Sequence, residues 1–185
     1  SIVNAYRAHG NQVGDVLEKT CFDLARAIEG AGYQAYVAFR GQIDEEELIG
    51  SISQKVAAHL SGLGWIGKNC LLVSPQYGPR LRLATILTDA PLEPGTPMPN
   101  SCGGCVLCAE ACPPQAIKGV AFNPEDPREV RLDARRCCDY TGGQLRMLGY
   151  KNPGPAGHVC GMCLYICPLG RKEGQKGSVG HVRDV

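Results

Sequence analysis

The sequence predicts an α+β protein, with a partial α/β region over residues 1–100 and a cysteine-rich region over 101–170. Three observations lead there. Apolar residues recur at helical spacing through residues 11–28, and a run of strand character follows at 33–39. A proline-dense stretch at 90–100, with Pro91, Pro94, Pro97 and Pro99 and no periodicity, marks a change of composition and the candidate domain boundary. Beyond it stand two runs of closely spaced cysteines, at 102–112 and 160–167.

Taken in order, Val13, Val16, Leu17, Cys21, Leu24, Ala25 and Ile28 form one face of an amphipathic helix that Gly30 stops. Cys21 lies on that face as a small buried apolar residue. The stretch from Tyr33 through Phe39 reads as a strand, so helix and strand stack as a layer. Asp44 with Glu47 three residues on is a capping-box pattern and predicts a helix start. A second helix is expected from about Ser53 through Leu60, with His59 as a structural residue. Gly62, Gly64 and Gly67, with Trp65 and Lys68, mark backbone that passes close to something flat or bulky. The spacing is not that of a phosphate-binding loop, and both a tight turn packing Trp65 on the core and a cofactor-facing loop are consistent with it. Residues 70–73 and 81–88 read as two strands that extend the sheet, joined by the turn-rich 74–79. Residues 171–185, rich in glycine and lysine, read as a mobile tail.

The 185 residues are 44% hydrophobic, with no apolar run long enough to span a bilayer. The formal charge of +1 argues against binding to nucleic acid by bulk charge.

Eleven cysteines in the chain demand an account. Cys102, Cys105, Cys108 and Cys112 are separated by two, two and three residues and followed by Pro113, the bacterial ferredoxin pattern for iron–sulfur ligation. Cys160, Cys163 and Cys167 with Pro168 form the complementary half. In that pattern the last cysteine of a run serves the other cluster. Crossing the runs gives Cys102, Cys105, Cys108 and Cys167 to one 4Fe–4S cluster. Cys112, Cys160 and Cys163 go to the second, whose fourth ligand is Cys137 or Cys138. Two oxidised clusters at about −2 each would bring the loaded chain to roughly −3. Zinc ribbons use two cysteines per knuckle, against four in the first run here. Cysteines two apart in a tight loop are poorly placed to bridge each other as disulfides. Iron–sulfur chemistry and reduced thiols point to a reducing compartment, the cytoplasm.

From Gln54 to Gly170 the chain resembles the iron–sulfur and corrinoid-dependent reductases that include epoxyqueuosine reductase and the reductive dehalogenases. Four pieces carry the resemblance: residues 62–69, residues 77–83 with 87–89, the first cysteine run with Ala116 and Ile117, and residues 132–137 before the second run. The resemblance implies that residues 1–100 are the C-terminal part of a cofactor domain that holds cobalamin, with Gly64, Trp65, Gly67 and Lys68 facing the corrin. It makes Cys137 the fourth ligand of the second cluster and leaves Cys138 structural. It implies one-electron transfer from a reduced ferredoxin or flavodoxin-type donor through both clusters to a corrinoid or a partner reductase. Where relatives carry an Asp-Arg pair ahead of the glycine stretch, this chain has Gln54 and Lys55, and an amide cannot act as a general acid. A non-catalytic electron-transfer module needs only the cysteines. A tRNA-modifying reductase would call on Arg80, Arg82, Arg135, Arg136, Arg171 and Lys172 for phosphates.

Overall fold

The computed structural model describes residues 2–38, 43–151 and 160–171. The expectations that fall on Phe39, Lys172 and the rest of the tail lie outside the described residues.

The first helix, α1 (Ile2–Gly30), is longer than the periodicity predicts. Its buried stripe is narrow: Gly10, Gly14, Cys21 and Ala25 are inside, with Leu17 and Ile28 half-buried, while Val13, Val16 and Leu24 are exposed. The reason is the width of what it covers. Strand β1 (Ala35–Ala38) pairs antiparallel with β6 (Thr85–Thr88), matching Ala35 to Thr88 and Ala38 to Thr85, and a two-stranded ladder cannot bury a broad helical face. The core here is Cys21, Ala25 and Val37, backed by Ala35, Ala84 and Ile86. Register is pinned at the ladder's end, where the Gln34 N–H donates to Asp89 Oδ1 (2.7 Å) and the Thr88 hydroxyl donates to the Gln34 carbonyl (2.7 Å).

No helix starts at Asp44. The segment is a hairpin of β2 (Ile43–Asp44) and β3 (Ile49–Gly50), and Asp44 Oδ1 accepts from the amides of Glu46 (2.9 Å) and Glu47 (2.8 Å). The same carboxylate that could cap a helix closes an Asx-type turn instead. The helix starts at Ser53, whose hydroxyl accepts from Val56 N (3.4 Å) to cap α2 (Gln54–Leu60). Gln54 ties α2 to the ladder, donating to the Ala38 carbonyl (3.0 Å) and accepting from the Thr85 hydroxyl.

The two strands expected after the glycine stretch do not pair with each other. Strand β4 (Trp65–Ile66) pairs with β5 (Leu72–Val73), all four residues buried, and the distant β6 goes to β1. Between them, reciprocal bonds between Ser74 and Gly78 (3.0 and 2.9 Å) close a tight turn that ends the hairpin. Fold class is therefore α+β, but among the described residues the strands form three separate two-stranded antiparallel ladders.

The proline-dense stretch has no regular structure, yet it is laid against the glycine stretch: Gly95 packs on the Ser61 carbonyl, and Asn100 Nδ2 donates to the Ile66 carbonyl (3.2 Å). After it come α3 (Leu107–Glu110), a 3-10 turn (Arg128–Val130), α4 (Ala134–Met147) and α5 (Met162–Tyr165). Asp133 caps α4 through the Arg136 amide (2.9 Å), and Leu145 is wholly buried. Cys112, Ala116 and Ile117 form the second core, with Cys108, Ala109, Leu132, Cys137 and Cys163 packed around it. Among the described residues no helix is long and apolar enough to cross a membrane.

Candidate metal centre

The short helices deliver the thiols. Cys108 lies within α3 and Cys112 just past its end, Cys137 is in the first turn of α4, and Cys160 and Cys163 flank the start of α5. None of the eleven cysteines is joined to another as a disulfide; Cys105 is exposed and Cys112 buried. The thiols influence one another in two sets. Burial, then Cys102 and Cys105 and more weakly Cys167, push Cys108 up to about 11. Burial, then Cys160, Cys137 and Cys112, push Cys163 up to about 12, with Cys108 a weaker neighbour. Cys137 is raised by burial and then by Cys112, Cys160 and its neighbour Cys138. Cys160 is raised by burial and Cys112, against a hydrogen bond from the Met162 backbone. Cys167 is raised by burial, against a hydrogen bond from the Leu169 backbone and the charge of Arg80.

Cys102, Cys105, Cys108 and Cys167 line one cavity of about 90 Å³, with Leu107, Val73 and Pro168 among its apolar walls. Among the described residues no three His, Cys, Asp or Glu side chains come close enough to share a single metal ion. Zinc needs sulfurs about 2.3 Å from one point. Four thiols spaced around a cavity suit a larger, multi-iron core. Burial favours the protonated form of Cys108 and Cys167, so loading such a core releases protons from them.

The glycine stretch sits between the two cysteine runs. A Cβ on Gly64 would lie 2.2 Å from the Val73 carbonyl oxygen, and one on Gly67 would lie 2.7 Å from Asn69 Oδ1 and Val73 Cγ2. These glycines let the β4–β5 hairpin close. Trp65 is 5% exposed, and its indole Nε1 has no hydrogen-bond partner among the described residues. Lys68 Nζ donates to the Gly103 carbonyl in the first run (2.9 Å), while Asn69 Nδ2 reaches the Cys163 carbonyl in the second (3.5 Å). His59 is structural, its Nδ1 3.0 Å from the Gly64 carbonyl and its ring edge-on to Phe122. Lys55 departs from the solvated state usual for a lysine: it donates to the Cys70 carbonyl (2.8 Å), and burial holds it below the ordinary ammonium range. Asn69 and Arg80, which the sequence offers as one residue among many, both contact the cysteine loops.

A family model for a 4Fe–4S double cluster binding domain matches residues 101–170. The epoxyqueuosine reductase of Bacillus subtilis is 33% identical over 66% of this chain and 30% of its own length. That of Gloeobacter violaceus is 32% identical over 96% of this chain and 52% of its own. The chain is an epoxyqueuosine reductase homologue. It spans about half or less of the length of these relatives. A crystal structure of epoxyqueuosine reductase with an epoxyqueuosine-modified tRNA stem loop shares the fold at TM-score 0.60, with 24% identity over 85% of this chain and 39% of that one. The resemblance drawn from the motifs is thus shared with these epoxyqueuosine reductases, and the matched double-cluster domain spans both cysteine runs.

Proposed function

We propose that this chain passes single electrons through two 4Fe–4S clusters as the reducing part of an epoxyqueuosine reductase-like oxidoreductase. The observation that carries the reading is the crosswise grouping of thiols, in which Cys167 from the second run joins three cysteines of the first around one cavity. Cys102, Cys105, Cys108 and Cys167 would hold one cluster, and Cys112, Cys137, Cys160 and Cys163 the other. When bound, each cluster supplies a one-electron couple whose potential follows its charge, hydrogen bonds and solvent exposure.

The chain's own residues supply those conditions. Leu107, Val73 and Pro168 exclude water at the first site, and Cys112, Ala116 and Ile117 do so at the second. The Ala116 N–H donates to Cys112 Sγ (3.3 Å), which favours the thiolate. Exposure of Cys105 makes the first site the more accessible to a ferredoxin or flavodoxin-type donor. The compartment this chemistry favours is a reducing one, the cytoplasm. Anaerobic loading followed by iron and sulfide analysis and electron paramagnetic resonance tests the reading. About eight irons and two S = 1/2 signals on reduction are expected, and zinc in place of iron would overturn it.

Cobalamin enters no step of this scheme. Gly64 and Gly67 are taken up by the chain's own hairpin and Lys68 by Gly103, so three of the four residues expected to face a corrin have partners within the fold; the fourth, Trp65, is buried with its indole Nε1 unpartnered among the described residues. Cobalt analysis after incubation with cobalamin is the direct check.

A second reading, reduction of a tRNA-borne substrate, is favoured by the related enzyme solved with a tRNA stem loop. The near-neutral charge weighs against binding by bulk charge alone. Several of the arginines that would meet phosphates are committed elsewhere: Arg135 donates to the carbonyls of Glu45 (3.0 Å) and Glu46 (2.6 Å), and Arg80 and Arg171 to the loop after α5. Arg82 and Arg136 are exposed. Binding of the modified stem loop that weakens steeply with salt would support this reading, and its absence at low salt would remove it.

A further inference from the structure

The thiol that must travel furthest to complete the first site is Cys167, which comes from the second run and joins Cys102, Cys105 and Cys108 in one cavity. Its backbone is held by a residue of the N-terminal region. Arg80 follows the Ser74–Gly78 turn, and its guanidinium donates Nη1 to the Leu169 carbonyl (2.7 Å) and Nη2 to the carbonyls of Cys167 (2.7 Å) and Tyr165 (3.4 Å). Arg171 meets the same loop from its own end, donating Nε to the Cys167 carbonyl (3.1 Å) and Nη2 to the Tyr165 carbonyl.

Two features make this a built contact. The turn and the loop touch backbone to backbone: a Cβ on Gly78 would lie 2.0 Å from the Leu169 oxygen, and one on Gly170 2.0 Å from Gly78 N. The accepting carbonyls lie at and beyond the C-terminal end of α5, where helical carbonyls lose their intrahelical partners and carry partial negative charge. A planar guanidinium with five N–H donors can bridge several of them at once, which a lysine ammonium on a flexible stem does less well.

We propose that Arg80 is the positioning residue of the first cluster site: it fixes the Cys167 loop so that this thiol closes the ligand set, and it sets that cluster's potential through its positive charge. The proposal rests on the two-cluster reading above. A one-electron reduction makes a thiolate-bound cluster more negative, so a nearby cation favours the reduced form. Removing Arg80 therefore lowers the potential of one couple and spares the other. It also makes the cluster domain dependent on residues outside 101–170.

The test is a redox titration, followed by electron paramagnetic resonance, of the full chain loaded anaerobically, with iron counted per chain. Wild type is compared with Arg80→Gln, Arg80→Lys and Arg26→Gln, the last removing an equal charge from α1. In Arg80→Gln one couple is expected to move to a more negative potential, or to vanish with loss of half the iron, while the other keeps its wild-type midpoint and line shape. Arg80→Lys is expected to do the same to a smaller extent, and Arg26→Gln to leave both couples in place. Unchanged couples in Arg80→Gln, equal shifts in both, or an Arg80→Lys identical to wild type would overturn the proposal. Should Arg80→Gln fail to load at all, Arg80→Lys decides by the same criterion. A wild-type chain without two clusters would defeat the underlying reading instead, and the iron count of wild type separates the two failures.

Discussion

Substituting Gly78 by alanine tests whether the two turns really meet through their backbones. Gly78 has φ +58°, and an L-residue in that left-handed region costs about 1–2 kcal/mol. A Cβ would also sit 2.0 Å from the Leu169 oxygen and 2.7 Å from its carbonyl carbon, where side-chain carbons essentially never come within 3.0 Å, so the turns must part by about an ångström. Parting them strains the bonds between Arg80 and Leu169 (2.7 Å) and between Ser74 and Gly78, at about 1 kcal/mol for each bond lost. The expected total is about 3–5 kcal/mol. Gly32→Ala is the control: φ is +92° and nothing lies within 4 Å of the added carbon, so only the conformational cost applies. For a chain of this size each kcal/mol moves the melting midpoint by about 2–4 °C. Melting both iron-loaded variants anaerobically at one scan rate should give Gly78→Ala at least about twice the depression of Gly32→Ala. Equal depressions would show that the contact between the turns contributes nothing and would remove the structural basis for placing Cys167 from the N-terminal side.

Cys137→Ser is expected to lose about half the iron and one paramagnetic signal, whereas Cys138→Ser keeps both clusters; the reverse result would exchange the two residues' roles. Leu145→Ala empties a site with 0% exposure and should cost about 2–5 kcal/mol in urea unfolding of the iron-loaded chain. Burial lowers the folded-state pKa of Lys55 below the ordinary 10.5, so between those two values the unfolded chain binds the extra proton and stability rises with pH. That contribution is lost as pH falls through the window. In Lys55→Met this slope should be missing when variant and wild type are compared at stepped alkaline pH, and parallel curves would mean that the amine is solvated.

The parts of this protein that are legible in the sequence are those set by short spacing. Three cysteines within seven residues can be read as one loop, and a helix can be read from about Ser53, because each depends only on neighbours along the chain. Asp44 shows the limit. Its carboxylate can accept from amides two and three residues on in a helix start or in a turn, and the partnership of Ile43 with Gly50 across a hairpin selects the turn. Strand partners likewise escaped local reading, since residues 70–73 and 81–88 are adjacent in sequence while β5 pairs with β4 and β6 pairs with β1.

The sequence by itself determined the chemistry of the donors: seven thiols in two proline-terminated runs with one more beside them, a pattern whose spacing is intelligible without coordinates. Only the tertiary structure decided what holds those loops together. Lys68, Asn69 and Arg80 reach the cysteine loops across 35, 94 and 87 residues of chain, through hydrogen bonds to backbone carbonyls that every residue possesses. A carbonyl leaves no mark in a sequence, so the residue that will meet it becomes visible only once the chain has folded back on itself.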